Sequence, residues 1–139
     1  REPIIVRNPY STRPYQHVLE PVCAYLKLAE LQYKDRTRYA GSYNIGPDDC
    51  DCVTTGELTD IFCKAWGKGA EWKDVSEKNA PHEAGFLKLD CSKIKRVMNW
   101  RPKWHIKDAV ENSVEWSKVY LSGGNVDEET NRQIEKYLV

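Results

Sequence analysis

The sequence lacks most of the features that assign a function at sight. Its 139 residues carry no net charge, with 21 basic and 21 acidic side chains, which argues against a broadly basic nucleic-acid binder. No apolar run approaches the roughly 20 residues of a membrane span, and no signal peptide is visible. The glycines form neither a P-loop nor a dinucleotide-binding fingerprint, and no tyrosine has a lysine four residues later. The nucleophile elbow of hydrolases is also missing.

Methionine and cysteine are scarce as well. The only methionine is Met98 and the sequence starts with Arg1, so we expect a piece of a longer protein. An odd, scattered set of five cysteines suggests a reducing compartment, the cytoplasm. The one close pair is Cys50-Asp51-Cys52, and the three histidines do not fall at metal-ligand spacings. Because a C-x-C pair alone is a weak zinc signal, we interpret these two cysteines as ordinary loop thiols and expect no metal.

What is present predicts an α/β fold with few short strands and about five helices. Helices are predicted over residues 19–34, 55–66, 91–98, 106–121 and 126–138, and strands over 3–7, 40–46, 70–75 and 86–89. Thr54 and Glu57 form a capping box at the start of the second helix, and Gly67 ends it. The first strand is expected to be buried. The first helix is expected to pack through Val22, Leu26, Ala29 and Tyr33, with Leu19 and Cys23 beside them.

The most informative stretch runs over residues 4–18. An apolar, β-branched run ends in Asn8-Pro9, which favours a turn, and Arg13 follows just before the first predicted helix. Anionic ligands commonly bind at such strand–helix junctions, and a guanidinium donates paired hydrogen bonds to a phosphate. The alternative is a solvated or carboxylate-paired arginine, and spacing alone supports both equally.

Two further segments carry candidate binding residues. His82 and Glu83 lie in a polar loop and could hold a phosphate oxygen and a sugar hydroxyl, although the residues alone favour an ordinary loop pair. The basic segment 93–107 contains Trp100 and Trp104, a combination that can bind single-stranded nucleic acid. The apolar residues of that segment take helical core positions, so we favour the solvated face of a short helix there.

Four strings in this order carry a family resemblance: IIVRNPYSTRPYQHVLEPVCAYLKLAE, YNIGPDDCDCVT, PHEAGFLKLDCSKIKRVMNWRPKW and VEWSKVYL. They resemble the C-terminal part of the CDP-glucose 4,6-dehydratases, which belong to the extended short-chain dehydrogenase/reductase superfamily of nucleotide-sugar enzymes. The resemblance covers roughly residues 3–121 and weakens in the tail. R-P-x-Q-H-V-L-E-P and P-H-E-A-x-x-L-K-L-D-C-S-K are distinctive for this family, whereas D-x-S-K…W-x-P is shared across the superfamily.

The resemblance implies part of a Rossmann-type fold: one substrate-binding C-terminal domain over 1–139, with a tail helix within 123–139. The NAD-binding domain would precede it. The intact enzyme, a lyase, would use NAD to oxidise the sugar at C4, eliminate water and return the hydride to C6. Its product would be CDP-4-keto-6-deoxyglucose, for deoxysugar biosynthesis. We expect the intact enzyme to be a homo-oligomer. This chain, without the NAD site and the acid–base residues, should be inactive and holds no catalytic residue.

The resemblance also assigns site residues. Arg13 would contact the pyrophosphate of a CDP-sugar, and His82 and Glu83 would lie near the phosphates, ribose or base. Asn8 and Tyr10 would line the same junction, while Asp49, after the YNIGP string, is a weaker candidate. Neither a nucleic acid nor a membrane is expected as partner. Two alternatives stay open: part of an epimerase or decarboxylase of the same superfamily, and a non-enzymatic binding module.

Overall fold

The computed structural model describes residues 2–77 and 84–139 and confirms the mixed α/β class. One 3₁₀ turn in this described part spans Asp49–Asp51. No helix in the described part is long and apolar enough to span a bilayer. The elements in chain order are β1 (Ile4–Val6), β2 (Thr12–Arg13), α1 (Leu19–Lys34), α2 (Arg36–Tyr39), β3 (Val53–Thr54), α3 (Thr55–Trp66), β4 (Trp72–Asp74), α4 (Ser92–Met98), α5 (Ile106–Leu121) and α6 (Val126–Leu138).

The longer helices begin and end where their cap residues predict. In the capping box of α3, the Thr54 hydroxyl accepts from the Glu57 amide at 3.1 Å. The Glu57 carboxylate in turn accepts from the Thr54 amide at 2.7 Å. Gly67, at φ 69°, ends α3, and Asn99, at φ 49°, ends α4 in the left-handed conformation. Helices α1, α5 and α6 keep their predicted bounds.

The strands form two small sheets in the described part. β1 pairs in parallel with β4, with Ile4 opposite Trp72. β2 pairs antiparallel with β3, and on its other side Thr12 forms a parallel bridge with Phe86. The short strand β2 therefore lies between β3 and the segment that begins at Ala84.

Two strand predictions were wrong. Residues 40–48 are irregular before the 3₁₀ turn, and the short helix α2, which the sequence analysis missed, precedes them. Tyr43 and Ile45 nevertheless pack against the core, and the Gln16 side chain donates to the Ile45 carbonyl at 3.1 Å. Side-chain contacts therefore fix this backbone in place of a strand ladder. The predicted strand over 86–89 is reduced to the bridge at Phe86.

The first strand is less buried than its apolar sequence predicts. Val6 is buried, but Ile4 and Ile5 are exposed, Ile5 to 56%. Since β1 has one neighbour in the described part of the chain, β4, much of its apolar surface faces outward.

The main core lies between α1, α4 and the connector before α5. Leu28 and Leu31 pack against it from α1. Its buried residues are Ala24, Cys91, Ile94, Met98 and Trp100.

The predicted inner face of α1 was wrong. Val22, Leu26 and Tyr33 are exposed, Tyr33 to 94%, and Ala29 is exposed too. The helix instead turns Glu20 and Ala24 inward, one turn apart, and both are fully buried. A carboxylate on the inner face breaks the apolar pattern, and for that reason the wrong face was predicted.

The buried carboxylate of Glu20 accepts hydrogen bonds from three donors. One carboxylate oxygen accepts from the backbone amides of Lys103, at 3.0 Å, and Trp104, at 2.8 Å. The other accepts from the Tyr137 hydroxyl at 2.7 Å. Desolvation first, and then the bond to Glu20, raise the pKa of Tyr137 well above its ordinary value. One side chain thus joins α1, the connector and α6. Hydrogen bonds to both carboxylate oxygens offset the cost of burying Glu20.

Candidate functional site

Arg13 lies in the short strand β2, which the sequence did not predict, on the stretch between β1 and α1. The Thr12 amide donates to the Gly85 carbonyl at 3.0 Å, and the Leu87 amide donates to the Thr12 carbonyl at 3.1 Å. The half-buried guanidinium of Arg13 donates through Nη1 to the Ala84 carbonyl at 2.8 Å and to the Thr12 carbonyl at 2.9 Å. Backbone carbonyls from β2 and from the segment beyond it therefore orient this cation.

His82 and Glu83, the other two main candidates, lie outside the described residues. The described chain resumes at Ala84, whose carbonyl accepts the bond from Arg13. Arg13 is therefore in contact with the residue that directly follows Glu83 in the sequence.

Asn8 and Tyr10 lie in the turn between β1 and β2. Asn8 is half-buried, and Tyr10 is 72% exposed. The Tyr10 hydroxyl donates to the Asp74 carboxylate of β4 at 2.6 Å. This bond raises the pKa of Tyr10 and lowers the pKa of Asp74. Tyr10 thus contacts β4, whereas Arg13 contacts the segment 84–87.

The same turn accepts hydrogen bonds from the first residues of α3. The Gly56 amide donates to the Pro9 carbonyl at 2.8 Å, and the Thr55 amide donates to the Ser11 carbonyl at 3.0 Å. A Cβ on Gly56 would come within 3.2 Å of the Pro9 carbonyl oxygen, so a larger residue would press on this contact. These contacts, together with the Thr54–Glu57 box, use the first amides of α3.

Asp49 lies on the 3₁₀ turn and faces solvent. It forms an ion pair with Lys88 at 3.5 Å, and the Lys88 ammonium lies 5.5 Å from the centre of the Phe86 ring. Lys88 therefore connects Asp49 to the segment that flanks Arg13. Sequence reasoning missed Lys88. Lys88 stands between Leu87 and Leu89, a few residues after the PHEA string. That alternation of polar and apolar residues was the signal that the sequence offered.

Two cavities differ in their chemistry. An open cavity of about 620 Å³ beside Asp49 is lined by Asp48, Lys88, Asp90 and Lys95, among others. Lys95 forms an ion pair with Asp48 there. The second, of about 450 Å³, lies between β1, α3 and α5 and has mainly apolar walls. The first cavity therefore presents both cations and carboxylates, whereas the second presents a mainly apolar surface.

The geometry argues against nucleic-acid binding through residues 93–107. Trp100 is only 6% exposed. The Trp104 ring packs edge-on between His17, at a centroid distance of 4.8 Å, and Tyr137, at 5.1 Å. Trp100 is buried and Trp104 is half-buried, so neither indole has the exposure of a base-stacking platform.

Comparison with known proteins supplies the remaining evidence. No family model matches the chain. The chain is 37% identical over 135 residues to the CDP-glucose 4,6-dehydratase of Salmonella typhimurium, a match that covers 97% of this chain and 37% of that protein. The predicted resemblance is therefore confirmed, and the chain is related to a nucleotide-sugar dehydratase. It spans little more than a third of the relative's length.

Proposed function

We propose that this chain is the nucleotide-sugar-binding part of a CDP-glucose 4,6-dehydratase and that its ligand is a CDP-sugar. The proposal depends most on the placement of Arg13. In a chain related over 97% of its length to such an enzyme, this arginine lies in β2, between β3 and the segment from Ala84, and is oriented by two carbonyls.

Arg13 would bind the pyrophosphate of the CDP-sugar. A guanidinium is planar and always charged, and it matches two phosphate oxygens at once. Lys88, which is bound to Asp49 and lies beside Phe86, adds a second positive charge on the neighbouring segment. Orientation by carbonyls reduces the entropy that the Arg13 side chain would lose when it binds.

The other candidates take supporting roles in this proposal. His82 and Glu83 precede the residue that Arg13 contacts and would lie near the phosphates, ribose or base. The exposed Asp49 would accept hydrogen bonds from ligand hydroxyls if the ligand displaced Lys88. Asn8 and Tyr10 would line the far end of the same junction.

The start of α3 does not fit the pyrophosphate of NAD, the cofactor of the proposed enzyme. A dinucleotide needs free amides at the start of a helix after a glycine-rich turn. The first amides of α3 are bonded to Pro9 and Ser11, and its N-terminus is closed by the capping box. We therefore derive no hydride transfer from this chain and assign it binding alone.

Calorimetry with the pure chain tests this proposal. CDP and CDP-glucose should bind more tightly than UDP-glucose and dTDP-glucose, and CDP-glucose plus NAD should give no dehydratase turnover. Preference for UDP- or dTDP-glucose would favour an epimerase or decarboxylase instead. Measurable turnover would show that the chain carries catalytic residues, against the proposal.

A further inference from the structure

The 3₁₀ turn brings a thiol, a carboxylate and an imidazole together at the start of α5. Asp51 is 5% exposed, and its Oδ1 accepts from the Ile106 amide at 2.9 Å. Its Oδ2 lies 2.8 Å from His105 Nδ1 and 3.6 Å from Cys50 Sγ. The three ligand atoms of Cys50, Asp51 and His105 all lie within 4.8 Å of one another.

We propose that Cys50, Asp51 and His105 form a binding site for Zn²⁺ or a divalent cation of similar chemistry. With zinc–ligand bonds of 2.0–2.3 Å, the ligand atoms of a tetrahedral site lie roughly 3.3–3.8 Å apart. The sulfur–oxygen pair already has that spacing, and the nitrogen–oxygen pair needs to open by about half an ångström. The sulfur–nitrogen pair, within 4.8 Å, needs to close by up to about one ångström. Cys50 and His105 are exposed, so water can take the fourth position.

The ligand types select the cation. Sulfur, nitrogen and oxygen together suit zinc, whereas calcium and magnesium require several oxygen ligands. The bond from the Ile106 amide to Oδ1 fixes the carboxylate and leaves Oδ2 toward the other two ligands. Such an outer contact is the usual support for a metal-binding carboxylate.

Charge around the site favours a cation. Asp51 raises the pKa of both Cys50 and His105, and Asp48 and Asp108 add negative charge near the imidazole. Binding would release the Cys50 thiol proton to solvent, while His105 would bind in its neutral form with its proton on Nε2. Affinity should therefore rise with pH as these two groups lose their protons.

Sequence spacing hides this site because the histidine is distant in the chain. Cys50 and Asp51 are neighbours, but His105 lies more than fifty residues later and is brought back at the N-terminus of α5. The interpretation of Cys50 as an ordinary loop thiol rested on the lack of a nearby histidine, and the fold supplies one.

Cobalt titration of the reduced chain tests the site directly. One equivalent of Co²⁺ should give the thiolate charge-transfer absorption and the visible bands of tetrahedral cobalt, and Zn²⁺ should abolish both. Cys50→Ser and His105→Gln should each weaken Co²⁺ binding more than about tenfold, the least that loss of even a supporting residue costs. Circular dichroism of each metal-free variant checks that it folds.

Cys52→Ser is the matched control. Cys52 lies in the same loop, but its thiol faces the Asp48 carbonyl at 3.8 Å, so this variant should keep the cobalt spectrum. The proposal is overturned if the native chain gives no thiolate band, if Cys50→Ser retains it, or if Cys52→Ser loses it.

Discussion

Two regions of this molecule handle a charged side chain in opposite ways. We call the group formed by Glu20, Trp104 and Tyr137 the closed cluster. Its carboxylate is fully buried and accepts from two backbone amides and one hydroxyl of the protein. At the open edge, formed by β2 and residues 84–87, Arg13 is half-buried beside the exposed Phe86 and Leu87. The first arrangement stabilises the fold, whereas the second is the ligand site that we propose.

The largest loss of stability should come from removing the Glu20 carboxylate from the closed cluster. Glu20→Ala leaves two partly buried backbone amides and the buried Tyr137 hydroxyl without their acceptor, so the free energy of unfolding should fall by about 3–5 kcal/mol. Urea denaturation of the purified variant measures this loss. Glu30→Ala on the same helix is the control, because Glu30 is exposed and pairs only with Lys34 among its described contacts; it should cost under about 0.5 kcal/mol. Equal losses in Glu20→Ala and Glu30→Ala would show that the closed cluster stabilises the fold no more than an exposed carboxylate does.

Removing one donor from the cluster should have a smaller effect. Tyr137→Phe keeps the ring packed on Trp104 but withdraws the hydroxyl from Glu20, at a cost of about 1.5–3 kcal/mol. Thermal unfolding of the variant checks it, with Tyr33→Phe at the exposed end of α1 as the control. If Tyr137→Phe were as stable as the native chain, the bond from the Tyr137 hydroxyl to Glu20 would contribute nothing to stability.

The cap beside the open edge should matter less again. Thr54→Ala removes the hydroxyl that accepts from the Glu57 amide at the start of α3 and should cost about 1 kcal/mol. Thr37→Ala, at an exposed position of α2, should stay within about 0.5 kcal/mol. Chemical denaturation compares the two. A loss above that of Tyr137→Phe would reverse the predicted order of the regions.

The smallest expected effect is that His17 and His105 titrate in different pH ranges. Burial lowers the pKa of His17, which packs on Trp104, whereas the bond to Asp51 raises the pKa of His105. Stability from the His105 pair should be present below about pH 6.5 and be lost as the pH rises through its raised pKa. For His17 the loss should come as the pH falls below about 6.5. NMR titration of the two imidazoles would show this order, and in Asp51→Asn the pKa of His105 should fall while that of His17 stays unchanged.

Local signals predicted the helices well. Thr54, Glu57, Gly67 and Asn99 act through contacts within one turn, which a sequence displays directly. The irregular residues 40–48 could not be foreseen, because contacts from distant elements, such as the bond from Gln16 to Ile45, fix them. The apolar alternation there reflects packing against the core rather than strand pairing.

The candidate site was predictable only in part. Arg13 could be placed because a strand, a turn and a helix follow one another within a few residues. Its contact with Ala84 could not, since it joins segments 71 residues apart. The same reason hid Glu20, whose donors are contributed by two other parts of the chain, and the approach of His105 to Cys50 and Asp51.

The central claim is that Arg13 at the open edge binds the pyrophosphate of a CDP-sugar. The most direct test is an amide NMR titration with CDP, comparing the native chain, Arg13→Ala and Arg36→Ala. We expect shifts at Thr12, Gly85 and Leu87 but not in α6. The affinity should be about 10–100-fold weaker in Arg13→Ala, as expected for a charged hydrogen bond, and unchanged in Arg36→Ala, an exposed arginine of α2. Equal affinity of Arg13→Ala and the native chain, or shifts that avoid the open edge, would contradict the account.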